Sequence, residues 1–260
     1  CHNRRARMMR RVGILGGMGP QATILIMQKL LDAVQARDDA DHIPLFVDQN
    51  PQVPSRIAHL LEGGGADPGP VLAAMARRLV GAGAEALAMP CNTAHHYAGA
   101  IRAAVSVPFL DMVALSVAHA SALAGQGGAI GILASPAVRK VGLFDSGLAA
   151  LGHRALYASD EAAMLAAIRQ IKASGPQPAA RATLHAASQE MAARGAKVQM
   201  IACTEFSLIA EAVAPQTLTF DTLDVLVSAI KDFALGWGRG RDCRFPNPVL
   251  LPRLLGVVQG

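Results

Sequence analysis

The sequence predicts an α/β fold of two pseudo-symmetric lobes, each a parallel sheet flanked by helices, with a functional site in the cleft between them. Three observations carry that expectation. Short apolar runs alternate with longer amphipathic ones along the chain, the pattern of βαβ units and parallel sheets. The chain also repeats itself: Gly83-Ala84-Glu85 stands eight residues before Cys91, and Gly195-Ala196-Lys197 eight before Cys203, an offset of 112. Two further matches follow in the same order. Val12–Leu15 pairs with Ile130–Leu133 at an offset of 118, and Asp111 and Asp221 stand twenty and eighteen residues beyond the two cysteines.

Taken in chain order, strands are expected at residues 11–15, 45–48, 86–89, 109–111, 130–134, 154–158, 198–202 and 218–220. Helical periodicity fills the intervals at 21–35, 70–82, 94–104, 115–124, 161–173, 179–194 and 223–235. Every crossover between parallel strands is expected to be right-handed. Residues 12–115 with 218–235 are assigned to the first lobe and 116–217 to the second. Residues 1–11 read as a basic N-terminal extension, and 236–260 as a C-terminal tail outside the core.

Composition narrows the function classes. The net charge is +5, but residues 1–11 alone carry +5 and 236–260 carry +3, so the body between them stands at −3. A basic body able to track a polyanion is missing, and no nucleic-acid partner is expected. No stretch reaches the ~18 uninterrupted apolar residues of a membrane span, so no membrane partner is expected either. Four cysteines make no dense disulfide framework, which points to the cytoplasm, where thiols stay reduced.

The chemistry-bearing residues sit where the repeat places them. Cys91 in Pro90-Cys91-Asn92-Thr93-Ala94-His95 and Cys203 in Ala202-Cys203-Thr204-Glu205 each close a predicted strand. Open parallel sheets bind ligands beyond such strand ends, so two facing lobes would set both thiols on one pocket. A helix N-terminus after each cysteine would lower the thiol's pKa and receive a carboxylate, with Asn92, Thr93 and Thr204 adding side-chain donors. A zinc site is the alternative, from Cys91 with His95 or from Cys203 with Glu205. It falls short of the usual three or four ligands, and no metal is assigned. His95 reads instead as a hydrogen-bonding neighbour of the thiol and His96 as solvent-facing. Gly16-Gly17-Met18-Gly19-Pro20 lacks a nucleotide-binding glycine spacing and reads as a tight turn that brings Met18 to the pocket. Asn50–Arg56, stiffened by Pro51 and Pro54, is a loop able to present Arg56 inward.

These segments resemble the aspartate/glutamate racemase family, closest to its aspartate racemases. The resemblance spans about residues 11–235 and rests on Val12–Thr23, Asn50–Arg56, Met89–His95, Ala202–Glu205 and Phe220–Val225. It implies two pseudo-symmetric lobes with the active site between them, a homodimer, and a reaction using no pyridoxal phosphate or metal. It further implies that Cys91 and Cys203 are the catalytic pair and that Asn92, Thr93 and Thr204 surround the α-carboxylate of a small amino-acid substrate. Arg56 would face the side-chain carboxylate, and Lys172, in Ile168–Gly175, stands where aspartate racemases carry a second cation. Around Arg56 the sequence departs from its relatives at Ser55, commonly Asp, and Ile57, commonly Thr.

The expected function is therefore cofactor-independent racemisation of aspartate. A broad-specificity amino-acid racemase, a hydantoin racemase and a maleate isomerase remain open on the same two cysteines. A non-catalytic sensor of acidic amino acids and a thiol redox protein are the alternatives from other classes.

Overall fold

The computed structural model describes residues 9–215 and 217–236; the tail expected at 236–260, apart from Gly236, and residues 1–8 of the expected extension lie outside the described residues. Two four-stranded parallel sheets are built by the same rule. The first contains β1 (Val12–Gly16), β2 (Leu45–Gln49), β3 (Ala86–Ala88) and β4 (Phe109–Leu110), in the order β2-β1-β3-β4. The second contains β5 (Gly128–Leu133), β6 (His153–Tyr157), β7 (Ala196–Ile201) and β8 (Leu218–Asp221), in the order β6-β5-β7-β8. All eight expected strands form, and the sequence repeat is a repeat of topology.

The central strands show why the repeat conserves a small residue. Gly13 on β1 and Gly131 on β5 are equivalent positions, and a Cβ on either would crowd its neighbours: 2.8 Å from Leu87 Cδ2 for the first, 2.9 Å from Gln199 Cγ for the second. Only hydrogen at these points lets the covering helices and adjacent strands close onto the sheet.

The helices are α1 (Pro20–Asp32), α2 (Gly69–Gly81), α3 (Ala98–Ala104), α4 (Met112–Ala124), α5 (Pro136–Lys140), α6 (Asp145–Ala150), α7 (Glu161–Ser174), α8 (Pro178–Ala193) and α9 (Thr222–Leu235). The one-turn helices α5 and α6 and a short π-helical turn at Ala58–Glu62 were not expected, being too short to show a period. The expected helix at 94–104 divides into a 3₁₀ turn, Thr93–Tyr97, followed by α3.

The lobe boundary differs from the one expected at residue 218. Leu218–Asp221 is a strand of the second sheet, in register with Val198–Ile201. Only α9 returns to the first lobe, where Leu223, Leu226, Val227 and Ile230 join Val12, Ile14, Ile26 and Leu30 in one core. The mirror exchange occurs at α4, which follows β4 of the first sheet yet buries Val117 and Ala120 among Ile130, Ile132, Val198 and Met200 of the second. An aspartate marks each exchange. Asp111 caps α4 by accepting from Val113 and Ala114 N–H, and Asp221 caps α9 by accepting from Leu223 N–H.

At the other end of the first sheet, Arg10 lies over the Phe233 ring, 3.7 Å from its centre, and its N–H donates to Ala234 O. Arg11 pairs with Glu85. The last residues of the expected extension are thus packed on the lobe.

Candidate active site

β3 and β7 hold the same place in their sheets, and each ends on a cysteine loop at the C-terminal edge. Both thiols are free and buried, each with 6% of its surface exposed. Cys91 packs among Met18, Met89, Ala94 and Tyr97, whereas Cys203 packs among Ile201, Phe206 and Ile209.

Polar contacts link the Cys91 loop to the second sheet across the lobe boundary. Asn92 Nδ2 donates to Thr222 Oγ1 at 3.0 Å, and Thr222 Oγ1 donates to Ile201 O at 2.9 Å, beside Cys203. Thr93 Oγ1 lies 3.3 Å from Ser135 Oγ at the end of β5. A Cβ built on Gly19 would stand 3.8 Å from Glu205 Oε1, so the glycine turn of the first lobe faces the carboxylate of the second.

His95 fixes the Cys91 loop. Its Nε2 accepts from Met112 N–H at 3.1 Å, which leaves Nδ1 as the protonated nitrogen, donating to Cys91 O at 2.8 Å. Burial holds the ring neutral, its pKa pushed down despite Asp111 nearby. With both nitrogens engaged, this histidine positions the loop. His96 is exposed. Among the described residues, no group of three His, Cys, Asp or Glu could hold a metal ion.

The two thiols differ. Cys203 Sγ donates to Glu205 Oε2 at 3.0 Å, and Glu205 Oε1 is in turn 3.3 Å from Lys172 Nζ. Burial pushes the Cys203 thiol well up, the Glu205 charge adds to the rise, and Lys172 opposes it. That corrects the expectation of a thiol activated by a helix N-terminus, because only a 3₁₀ turn, Phe206–Ala212, follows Cys203. Lys172, expected to meet substrate, has a protein carboxylate as its partner.

Arg56 behaves differently from Lys172. Its guanidinium donates to the carbonyls of Pro54 at 3.0 Å, Val53 at 3.3 Å and Met18 at 3.5 Å, with no carboxylate bound among the described residues. Ser55 Oγ accepts from Ala58 N–H and so starts the turn that carries it. Met18 is buried and joins Arg56 to the glycine turn. Thr204 is buried beside Cys203. Asn92 was expected as a donor, yet its amide nitrogen donates to Thr222 and its Oδ1 is one of the buried atoms without a partner among the described residues.

Sequence reasoning missed Thr222, Ser135 and Ser207, and weighed Glu205 only as a metal ligand. The repeat carried a signal for one of them. Ser207 stands four residues after Cys203, as His95 does after Cys91, and donates to Asp221 Oδ1 at 3.0 Å just as His95 lies against Asp111.

Asp221 also makes a measurable expectation. Burial pushes its carboxyl up to about 6, against the lowering contact from Leu223 N–H. Below about pH 4 the group is protonated in folded and unfolded chains alike; above about 6 the folded chain must carry a buried charge, so this group costs stability as pH rises between those values. Asp221→Asn keeps the capping acceptor without the charge. It should stabilise the protein at pH 7 by on the order of 2 kcal/mol, with the gain vanishing near pH 4. Urea unfolding of both proteins at the two pH values measures this; a gain at pH 4 equal to that at pH 7 would refute it.

The sequence model of the family described as Asp/Glu/hydantoin racemase matches residues 15–230. The broad specificity amino-acid racemase RacX of Bacillus subtilis (strain 168) is 30% identical over 115 residues, a match spanning 39% of this chain and 45% of that protein. The aspartate racemase of Picrophilus torridus superposes with a TM-score of 0.74 at 24% identity, covering 86% of this chain and 94% of that one. An aspartate racemase homologue from Pyrococcus horikoshii OT3 gives 0.66 at 19% identity, covering 87% and 100%. The glutamate racemase of Francisella tularensis, solved with D-glutamate, gives 0.61 at 15% identity, covering 87% and 81%. At such identities these structures share the two-lobe α/β fold with this chain.

Proposed function

The chain belongs to the Asp/Glu/hydantoin racemase family, and from that premise we propose that it interconverts the enantiomers of an acidic amino acid, aspartate above others, with Cys91 and Cys203 as its two proton carriers. One observation carries the reading: two free, buried thiols end equivalent strands of two sheets, and the loop of the first is hydrogen-bonded to the second sheet directly at Ser135 and through Thr222 at Ile201. Inverting an α-carbon requires a base on one face and an acid on the other, because returning the proton to its original face restores the starting enantiomer. One thiolate takes the α-proton and becomes a thiol. The other thiol gives its proton to the opposite face and becomes a thiolate, so the pair exchanges states at each turnover. No cofactor enters this reading.

The surrounding groups suit that task. The α-proton is a very weak acid, and Thr93 and Thr204 supply donors to the carboxylate beside the developing charge. Asn92 Oδ1, an acceptor without a partner, fits the substrate ammonium better than its carboxylate. Arg56, bonded among the described residues only to carbonyls, is a cation open to a second carboxylate. For the expected homodimer, Ile24, Met27 and Leu31 give the outer face of α1 an exposed apolar stripe. Among the described residues no helix is long and apolar enough to cross a membrane, and a reaction that needs two free thiols suits a reducing compartment such as the cytoplasm.

A second reading, a broad-specificity racemase, is favoured by the Lys172–Glu205 pair, which removes one cation from substrate recognition. Arg56 separates the two. In an enantiomer-resolved assay without added cofactor, aspartate should exceed glutamate and both should far exceed alanine. Arg56→Ala should lower kcat/KM for aspartate roughly tenfold to a hundredfold, the loss of one charge-assisted contact, and shrink its lead over alanine. Arg56→Lys should recover only part, since a fork becomes a point charge. Equal wild-type rates on alanine and aspartate would replace the acidic-substrate reading with the broad one. Absence of solvent deuterium at Cα of recovered substrate would end both.

A further inference from the structure

We propose that Glu205 is a positioning residue that keeps Cys203 protonated in the resting site, with Lys172 as the counter-ion that keeps Glu205 ionised. The geometry carries this. A sulfur and a carboxylate oxygen 3.0 Å apart must share a proton, since two anions would not settle at that distance. Lys172 at 3.3 Å from the other oxygen favours the carboxylate, which leaves the proton on sulfur. Glu205 is itself buried, at 8% exposure, so its charge acts through little water.

Among the described residues no charge besides Glu205 and Lys172 acts on this thiol. Asp221, ending the neighbouring β8, is turned to Ser207 and Leu223. Arg169, one turn before Lys172 on α7, is paired with Glu62 of the first lobe. Arg56 is held on carbonyls of its own loop and of Met18. Among the described residues no carboxylate is bonded to the Cys91 sulfur, so the two thiols are not equivalent at rest. On the two-thiol reading, on which this consequence rests, Cys203 begins as the acid and Cys91 as the base.

The asymmetry has an unusual kinetic form. Enantiomers have equal free energies, so kcat/KM must be the same in both directions, and unequal thiols can change only how that ratio divides into kcat and KM. A direct readout of the thiol is therefore preferable. Iodoacetamide alkylation of Cys203, followed against pH by mass spectrometry of its peptide, should be measured in the full chain for wild type, Glu205→Gln, Glu205→Asp and Lys172→Met. Glu205→Gln should lower the midpoint by about 1–2 pH units, the size of one adjacent like charge. Glu205→Asp should stay near wild type, and Lys172→Met should raise the midpoint. A part played only in packing would not give shifts of opposite sign. An unchanged or raised midpoint in Glu205→Gln overturns the proposal; if that variant does not fold, an unchanged or lowered midpoint in Lys172→Met does. The basic limb of the kcat/KM profile should move with the alkylation midpoint. Movement of the midpoint without the limb would uphold the role of Glu205 and defeat the two-thiol reading.

Discussion

Cys91→Ser and Cys203→Ser should each reduce racemisation by at least about a thousandfold while leaving the fold intact. A hydroxyl is far less acidic than a thiol of ordinary pKa about 8.5, so either change removes one of two proton carriers that must alternate. The two variants should nevertheless fail differently. Cys203→Ser keeps the Cys91 base and should still exchange the α-proton of one enantiomer, whereas Cys91→Ser keeps only the thiol that Glu205 holds protonated and should exchange far more slowly; neither should invert. Incubating each variant in deuterium oxide with each enantiomer separates exchange from inversion. The sulfur-to-oxygen change is small in volume, and unfolding midpoints should stay close to wild type. Turnover near the wild-type rate in either variant would remove that cysteine from the mechanism.

Gly17→Ala should destabilise the protein by about 3 kcal/mol or more. The residue has φ of +91°, a region costly for any side chain, and a Cβ there would lie 2.4 Å from the Asn50 carbonyl carbon. The obstacle is backbone on both sides, because Gly17 N–H is held by Thr23 Oγ1 and Asn50 N–H by Gly16 O. Moving either loop also moves the Met18 carbonyl that helps to hold Arg56, so activity on aspartate should fall with stability. Urea unfolding gives the stability directly; a loss under about 1 kcal/mol would mean that the Asn50 loop yields without cost.

The fold was legible because its strongest signals are local and repeated. The glycine before each cysteine strand takes a positive φ, and the Val12–Leu15 and Ile130–Leu133 runs each carry a glycine where close packing leaves no room for a side chain. What escaped was the pairing of distant parts. The apolar face of α9, with Leu223, Leu226 and Ile230, announces burial but not which sheet it will cover. Leu218–Asp221 was read with the helix that follows it, although its partner is Val198–Ile201. The site shows the same division. Cys91 and Cys203 stand out by period, whereas the direction of the Asn92 amide is set by Thr222, 130 residues away. The sequence shows the charge of Lys172 but not its partner Glu205, 33 residues away.

The exchange of α4 and α9 bears on how the protein is made. During synthesis, β1–β4 emerge first, yet Val12, Ile14 and Ile26 stay uncovered on one side until residues 222–235 leave the ribosome. The earlier half is thus born as an open sheet with an exposed apolar face, an invitation to chaperones or to wrong partners. Meanwhile α4, already made, waits for the sheet that it will cover. The last helix closes the first lobe while the strand before it completes the second, so neither half can mature ahead of the other. Unfolding should accordingly follow a single cooperative transition, and a proteolytic nick between β4 and β5 should not release two independently stable pieces.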